Sequence, residues 1–286
     1  MTLGIREFTF KIYGASLCEL FVAIKELSKP GVVIKGYTTV RNYPHDHFRP
    51  FGDIDLAVSK EDYPKAQELI RTTPALQKLN IDLHCELRHL DTLPFDQILD
   101  RSETIDIDGT EIRVPCPEDH LRILAVHWLN DGGQHRERLY DIYYAVQNRP
   151  ATFDWDKCFG VVSPTRRKWV ITAIGLAHKY LGLEIDDLPF ADEARDIPKW
   201  ITDAVEKEWA TNIRLRPLHI VWRHPRLLAQ QIKKRLPPNP IQATIETEGE
   251  FDEGSRIRYQ IGSVAKRIGP SMKRIVPTIF RRRPSA

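Results

Sequence analysis

Cysteine is scarce in this chain: Cys18, Cys85, Cys116 and Cys158 are the only thiols in 286 residues, and no C-x-x-C pair occurs. That spacing excludes a zinc ribbon and a disulfide-dense secreted scaffold. Scattered thiols of this kind read as small core residues in a reducing compartment. Long apolar runs are missing too. The stretch Trp169–Ala177 is about half of the ~20 residues that a membrane-spanning helix requires. The N-terminal segment carries Arg6, Glu7 and Lys11, and Glu19 interrupts the apolar residues behind them, which does not fit a secretory leader. With 15 glycines and no internal repeat, collagenous and solenoid architectures also drop out. What remains is a cytoplasmic globular protein, long enough for two domains.

Charge is plentiful but unevenly placed. Residues 1–211 contain 26 Lys+Arg and 34 Asp+Glu, a net −8, whereas residues 212–286 contain 16 and 5, a net +11. An acidic body argues against a nucleic-acid substrate, because a nucleic-acid groove needs an extended basic surface. The basic end mixes Lys266, Arg267, Lys273, Arg274, Arg281, Arg282 and Arg283 with Ile261, Val264, Ile268, Met272, Ile275 and Phe280. Such a tail is either a solvated extension or a contact for an anionic membrane surface or a nucleic acid. Deleting residues 255–286 and comparing flotation with anionic liposomes tests the membrane contact.

Periodicity divides the chain. Leu17, Leu20, Phe21, Ile24 and Leu27 predict a helix over 13–28, stopped by Pro30-Gly31. Val32–Ile34 reads as a short buried strand closed by Lys35-Gly36, and 37–43 as a short helix. Residues 44–52 form a loop containing His45 and His47, an H-x-H too poor in ligands for a metal site. Residues 53–58 and 81–87 alternate as strands, with Ser59 and Asp62 opening a helix between them. Asp108-Gly109 joins the β-like runs 104–107 and 111–114 in a hairpin. From Pro117 the period becomes helical, with further helices near 135–147, 155–162, 166–181 and 198–210. The expectation is an α+β protein: a small mixed sheet with helices on one side over 1–115, a helical domain over 116–210, and a basic, partly ordered region over 211–286.

Chemistry concentrates on two of the strands. Asp53 and Asp55 are two residues apart and share a strand face, and Asp82 lies on the polar face of a second strand with His84 and Glu86. If those strands are neighbours, three carboxylates converge, and hard divalent cations relieve their mutual repulsion. Two such ions clamp the attacking and leaving oxygens of an in-line phosphoryl displacement. Upstream, Gly36 permits close approach of backbone N–H groups to a phosphate. Lys35 and Arg49 are candidate phosphate contacts, or strand-end and ion-paired charges respectively, Arg49 with Asp53 or Asp55.

A strand ending in Gly, a D-x-D strand and a later third Asp resemble the polymerase-β-like nucleotidyltransferase superfamily. The fuller run is similar to a bacterial nucleotidyltransferase-like family of largely unassigned function. It comprises Val33-Ile34-Lys35-Gly36, Tyr43-Pro44, Arg49-Pro50-Phe51-Gly52-Asp53-Ile54-Asp55-Leu56-Ala57-Val58, Ile81-Asp82-Leu83-His84, Cys116-Pro117-Glu118-Asp119-His120-Leu121, Leu124-Ala125-Val126-His127-Trp128 and Arg138-Leu139-Tyr140-Asp141-Ile142. The similarity extends over roughly residues 15–185. It implies Asp53, Asp55 and Asp82 as catalytic metal ligands for Mg²⁺ or Mn²⁺, two ions in all. It also implies an NTP as co-substrate, bound through Lys35, Gly36, Tyr37, Thr38 and Arg49. The acceptor would be a hydroxyl or phosphate on a small molecule, sugar, peptide or protein. Tyr37 stands where the superfamily has Ser, with Thr38 and Thr39 the nearest hydroxyls, and that substitution favours the alternative of a non-catalytic nucleotide- or ligand-binding module. His84 would orient the acceptor or simply hydrogen-bond beside the site. His127, Asp131 and His120 read as a buried polar network, and Arg138 with Asp141 as a helix ion pair.

Overall fold

The apolar ridge of the N-terminal segment sets the first layer of the protein, because Leu17, Leu20, Ile24 and Leu27 are all buried. The computed structural model describes residues 2–47, 49–211, 213, 218–221 and 224–267. In chain order the elements are α1 (Thr2–Ile24), β1 (Val32–Val33), α2 (Tyr37–Val40), β2 (Ile54–Val58), α3 (Tyr63–Thr72), β3 (Ile81–Cys85), α4 (Phe95–Arg101), β4 (Glu103–Ile107) and β5 (Thr110–Val114). Then follow α5 (Pro117–Asn130), α6 (Leu139–Gln147), α7 (Trp155–Phe159), α8 (Pro164–Leu181), α9 (Ala191–Arg195), α10 (Lys199–Trp209), α11 (Leu218–Val221), α12 (Pro225–Arg235) and α13 (Pro240–Glu246). Two compact units result: Met1–His127 with Arg138–Arg195, and Trp128–Glu137 with Asp196–Ala286. The expected boundary between 115 and 116 falls inside the first unit, between β5 and α5.

In the first unit, five strands form one mixed sheet in the order β3-β2-β1-β5-β4. β1 runs antiparallel to β2 and parallel to β5, β2 runs parallel to β3, and β4 pairs antiparallel with β5. This is an α+β architecture. Ile54, Leu56 and Val58 of β2 pack with α1, with Ala66 of α3 and with Leu76. Ala57 faces the other way, with Val32, Ile34, Leu87, Leu90, Phe95 and Ile98 of α4, and Ile123 of α5. Helices therefore cover both faces, not one. The reason lies in β1, whose Val32 and Val33 are buried on opposite sides and need apolar cover on each.

Local chemistry explains the element ends. Asp108 and Gly109 both adopt positive φ (49° and 79°), the backbone a two-residue hairpin requires. Ser59 and Asp62 bond reciprocally, with Asp62 N–H donating to Ser59 Oγ at 3.0 Å and Ser59 Oγ donating to the carboxylate at 2.8 Å. Asp62 also accepts from the backbone N–H groups of Ser28 and Lys29, which ties the end of the first helical segment to α3. β3 stops at Cys85 rather than Leu87 because Glu86 and Arg88 take positive φ (55° and 54°) and turn the chain off the sheet. α4, which the periodicity does not predict, has seven residues and two buried apolar side chains, too few to display a helical period.

The first unit holds a buried ionic core as well as an apolar one. Arg122, 1% exposed, donates through Nε to Asp91 at 2.8 Å, through one terminal nitrogen to the Cys158 carbonyl at 3.0 Å, and lies 2.9 Å from Asp119. Asp119 also accepts from Arg101 of α4, whose terminal nitrogen meets the same Oδ1 at 2.6 Å and whose Nε meets Oδ2 at 3.0 Å. The cysteines Cys116 and Cys158 are buried here, and burial pushes their thiols up to about 11 and about 12, so they act as packing atoms. No helix of the described residues is long and apolar enough to cross a membrane.

The second unit is helical. Trp128 is buried and its indole donates to the His135 carbonyl at 2.9 Å, while the Trp209 indole donates to the Gly133 carbonyl at 2.8 Å. Asn239 caps α13 by accepting from Ile241 and Gln242 N–H. Residues 257–267 are also helical. Of the basic tail, Lys266 and Arg267 bond to Glu246, whereas Lys273, Arg274 and Arg281 to Arg283, with Ile268, Met272, Ile275 and Phe280, lie outside the described residues.

Arg122→Ala leaves Asp91 buried without its cation. The expected loss is about 3–5 kcal/mol of unfolding free energy, read from urea denaturation. A loss under about 1 kcal/mol would contradict the role assigned to this ionic core.

Candidate functional site

The parallel register of β2 and β3 sets Asp55 opposite Asp82 and Ala57 opposite His84, so both acids and the imidazole share one sheet face. Among the described residues, Asp55, Asp82 and His84 form a group whose potential ligand atoms all lie within 4.8 Å of one another. Asp55 and His84 are buried, and Asp82 is half exposed. His84 Nε2 stands 3.3 Å from Asp55 Oδ1 and 3.1 Å from Asp82 Oδ2. Both neighbours are carboxylate oxygens that accept when ionised, so Nε2 carries the hydrogen. Lys35 Nζ lies 2.6 Å from the same Asp55 Oδ1. Burial by itself raises the Asp55 pKa, but the His84 hydrogen bond and the Lys35 ammonium outweigh it and bring the carboxyl down to about 2.

The donor set fits a divalent cation. Mg²⁺ and Mn²⁺ take one or two carboxylates and complete their shells with water and substrate phosphates. Asp55 and Asp82 supply that pair at a half-open edge. His84 suits the role of positioning them rather than of ligand, for a physical reason. Its Nδ1 is buried without a hydrogen-bond partner. An imidazole that ligates through one nitrogen places a hydrogen on the other, and here that N–H would be stranded.

The other predicted residues are placed as follows. Asp53 precedes β2, is exposed and is not one of the three clustered residues. Gly36 has φ +63°, and a Cβ there would come 3.0 Å from the Asp53 carbonyl oxygen, so only glycine fits where the end of β1 closes on the start of β2. Tyr37 is half-buried and edges onto Phe51 at 6.5 Å. Thr38 Oγ1 donates to the Val33 carbonyl at 3.1 Å, and Thr39 Oγ1 faces His120 Nε2 at 3.5 Å, so both hydroxyls already have partners in the protein. Arg49 grips neither Asp53 nor Asp55 but Asp141, through two bonds of 2.5 and 2.7 Å, and the Tyr43 hydroxyl donates to the same carboxylate at 2.5 Å. The loop 44–52 is thereby fastened to α6. His47 of the 44–52 loop packs on Tyr140 and Tyr144 and meets the Tyr144 hydroxyl at 2.8 Å.

Burial holds two histidines outside this cluster neutral. Burial, reinforced by the positive charges of Arg41 and Arg49, pushes His120 down to about 3. His127 falls to about 3 by burial, with the charges of Lys35 and Arg138 adding to the effect. His127 therefore lies within electrostatic reach of Lys35 and Asp55. Neither the Lys35–Asp55 pair nor the Tyr43 and Arg49 contacts to Asp141 are legible in the sequence, where Asp53 and Asp55 are the nearer acids to Arg49. The signal that could have found this contact is the cluster of Tyr140, Asp141 and Tyr144 on one helix, whereas the expectation there is an Arg138–Asp141 helix ion pair. A separate hollow of about 610 Å³, lined by Arg149, Phe153, Trp155 and Asp187 among others, contains none of the predicted residues.

A small mixed sheet with acids on adjacent parallel strands, behind a glycine-ended strand, defines a nucleotidyltransferase-type core. Comparison with known families agrees. Residues 13–182, more than half of the chain, match the family described as uncharacterised nucleotidyltransferases, and the protein belongs to that family. No curated protein and no solved structure matches the chain.

Two outcomes are expected. Gly36→Ala costs about 1–3 kcal/mol through forced positive φ and the Asp53 carbonyl contact, measured as a fall in melting temperature. For pH, the folded-state His120 value lies below its ordinary 6.5, so the unfolded chain binds the extra proton and stability falls as pH drops from about 6.5 toward about 3. His120→Gln removes one such group and flattens the acid limb by up to about 1.4 kcal/mol per pH unit in that window, read from denaturation at pH 7, 6, 5 and 4. An unchanged slope would mean that His120 is not buried neutral.

Proposed function

We propose that this protein is a metal-dependent nucleotidyltransferase that moves a nucleoside monophosphate from an NTP to a hydroxyl or phosphate of a small molecule, sugar, peptide or protein, releasing pyrophosphate. The observation that carries the reading is the pairing of Asp55 with Asp82 across parallel strands, within a chain of a nucleotidyltransferase family. Asp55 and Asp82 hold the divalent ion, and Asp53 adds a carboxylate from the exposed end of the strand, the arrangement suited to two ions. When bound, Mg²⁺ or Mn²⁺ offsets the charge that develops on the α-phosphate oxygens and the leaving pyrophosphate.

The protein's own groups divide the remaining work. Asp55, held down to about 2, stays ionised at any working pH and is no proton acceptor. Asp82 is half exposed on the solvent side of the pair, where an acceptor hydroxyl can reach it, and it takes or orients that proton. His84 donates to both acids and fixes their separation. The turn at Gly36 is the proposed phosphate contact, through backbone N–H groups and with Lys35 the adjoining cation in the chain. The net −8 of residues 1–211 supports a small-molecule, glycan or peptide acceptor over nucleic acid.

One observation favours a second reading, a module that binds nucleotide without turnover. Tyr37 replaces the expected Ser, and the hydroxyls of Thr38 and Thr39 are committed to Val33 and His120. One experiment separates the two. Each α-³²P-labelled NTP is incubated with the protein, Mg²⁺ or Mn²⁺ and an extract of the native host, with Asp55→Asn and Asp82→Asn as controls. Transfer of label, reduced by about 10²-fold or more in both variants, is the expected result. Asp55-dependent nucleotide binding without transfer would establish the binding module instead. Absence of any metal-dependent nucleotide binding would overturn both.

A further inference from the structure

We propose that Lys35 is a movable counter-ion that couples metal binding to nucleotide binding, its ammonium occupying Asp55 until a divalent ion arrives and then passing to the polyphosphate. The proposal rests on the metal-dependent reading above and concerns how that site is regulated. Lys35 Nζ sits 2.6 Å from Asp55 Oδ1, the oxygen that also faces His84 Nε2 at 3.3 Å. That oxygen therefore already carries a cation and a hydrogen-bond donor. A divalent ion held between Asp55 and Asp82 meets the ammonium as a competitor and is repelled by it. The repulsion is strong because the Lys35 and Asp55 side chains are only 13% and 5% exposed, so water screens them little.

The ammonium has somewhere to go. A lysine head moves on a four-carbon stem without any change in the backbone. The chain turns at Gly36 immediately afterwards, with φ +63°, and this turn is where the phosphates are proposed to bind. Without nucleotide, an incoming ion breaks the Lys35–Asp55 pair and leaves a largely buried ammonium unpaired. With nucleotide present, the same ammonium gains an anionic partner. Metal and nucleotide thus raise each other's affinity by a common factor, as linkage demands.

The consequence is a pair of effects with opposite signs. Removing the Lys35 charge strengthens binding of the metal alone and weakens the mutual enhancement. A lysine that merely supported the fold would weaken both. The test titrates the full chain with Mn²⁺, following free Mn²⁺ by electron paramagnetic resonance. Titrations are run with and without a non-hydrolysable α,β-methylene NTP analogue, corrected for the analogue's own chelation. Wild type, Lys35→Met, Lys35→Arg and Asp55→Asn are compared, with circular dichroism melts to confirm folding.

In wild type the analogue is expected to raise Mn²⁺ affinity roughly 5- to 150-fold. Lys35→Met is expected to bind Mn²⁺ alone about tenfold more tightly, with the enhancement reduced by about the same factor to the part that direct phosphate ligation of the ion supplies. Lys35→Arg keeps the charge and retains most of the enhancement. If Lys35→Met binds Mn²⁺ no more tightly than wild type while Asp55→Asn abolishes binding, the counter-ion role is overturned and the metal site stands. If wild type binds no Mn²⁺ with or without the analogue, or Asp55→Asn binds it as wild type does, the metal reading fails and this proposal fails with it.

Discussion

A buried carboxylate is the constraint around which the first unit is organised. Asp55 lies on the central part of the sheet, 3% exposed, and its charge survives there only because Lys35 and His84 compensate it. Each compensating group imposes geometry. Lys35 must sit at the end of β1, so β1 must lie beside β2. His84 must share the face of Asp55, so β2 and β3 must pair in parallel with Ala57 opposite His84. The tight closure at Gly36 follows from the same arrangement, because the end of β1 meets the Asp53 carbonyl directly.

Long-range ion pairs then hold the covering elements in position. Arg122 binds the segment after β3, through Asp91, to α5 and to the end of α7, and Arg101 brings α4 to Asp119 of α5, which Arg122 also faces. Arg49 and Tyr43 do the equivalent for α6, whose Asp141 they share. These are buried, directional contacts, and each is costly to leave half made. They specify one arrangement of elements around the carboxylate face, where apolar packing alone would tolerate several. The proposed metal-dependent reading draws on this rigidity, since acids held by neighbours would present a fixed pair of oxygens to a cation.

Much of this was legible in the sequence, and the reasons are specific. Alternation in I-D-L and I-D-L-H marks which residues share a face, because a strand has a period of two. Asp108-Gly109 marks a hairpin, because both positions need positive φ. The strand order β3-β2-β1-β5-β4 was not legible, since pairing partners are chosen by contacts distant in the chain. Arg49 illustrates the difference: four residues before Asp53 in sequence, it finds Asp141 instead, 92 positions away.

The sequence alone determined the kinds of residue available to the site: paired acids, a strand-ending glycine, a lysine before it, and a tyrosine in place of serine. It also determined the acidic body and the scarcity of thiols and apolar runs. The tertiary structure decided which of these meet. It brought Lys35 onto Asp55, placed His84 between two carboxylates, left Asp53 at the exposed strand end, and turned the Thr38 and Thr39 hydroxyls into the protein. Composition and period are properties of the chain itself. The partner of a charged side chain is settled only by which desolvated neighbour can repay its burial, and that neighbour is named by the packing.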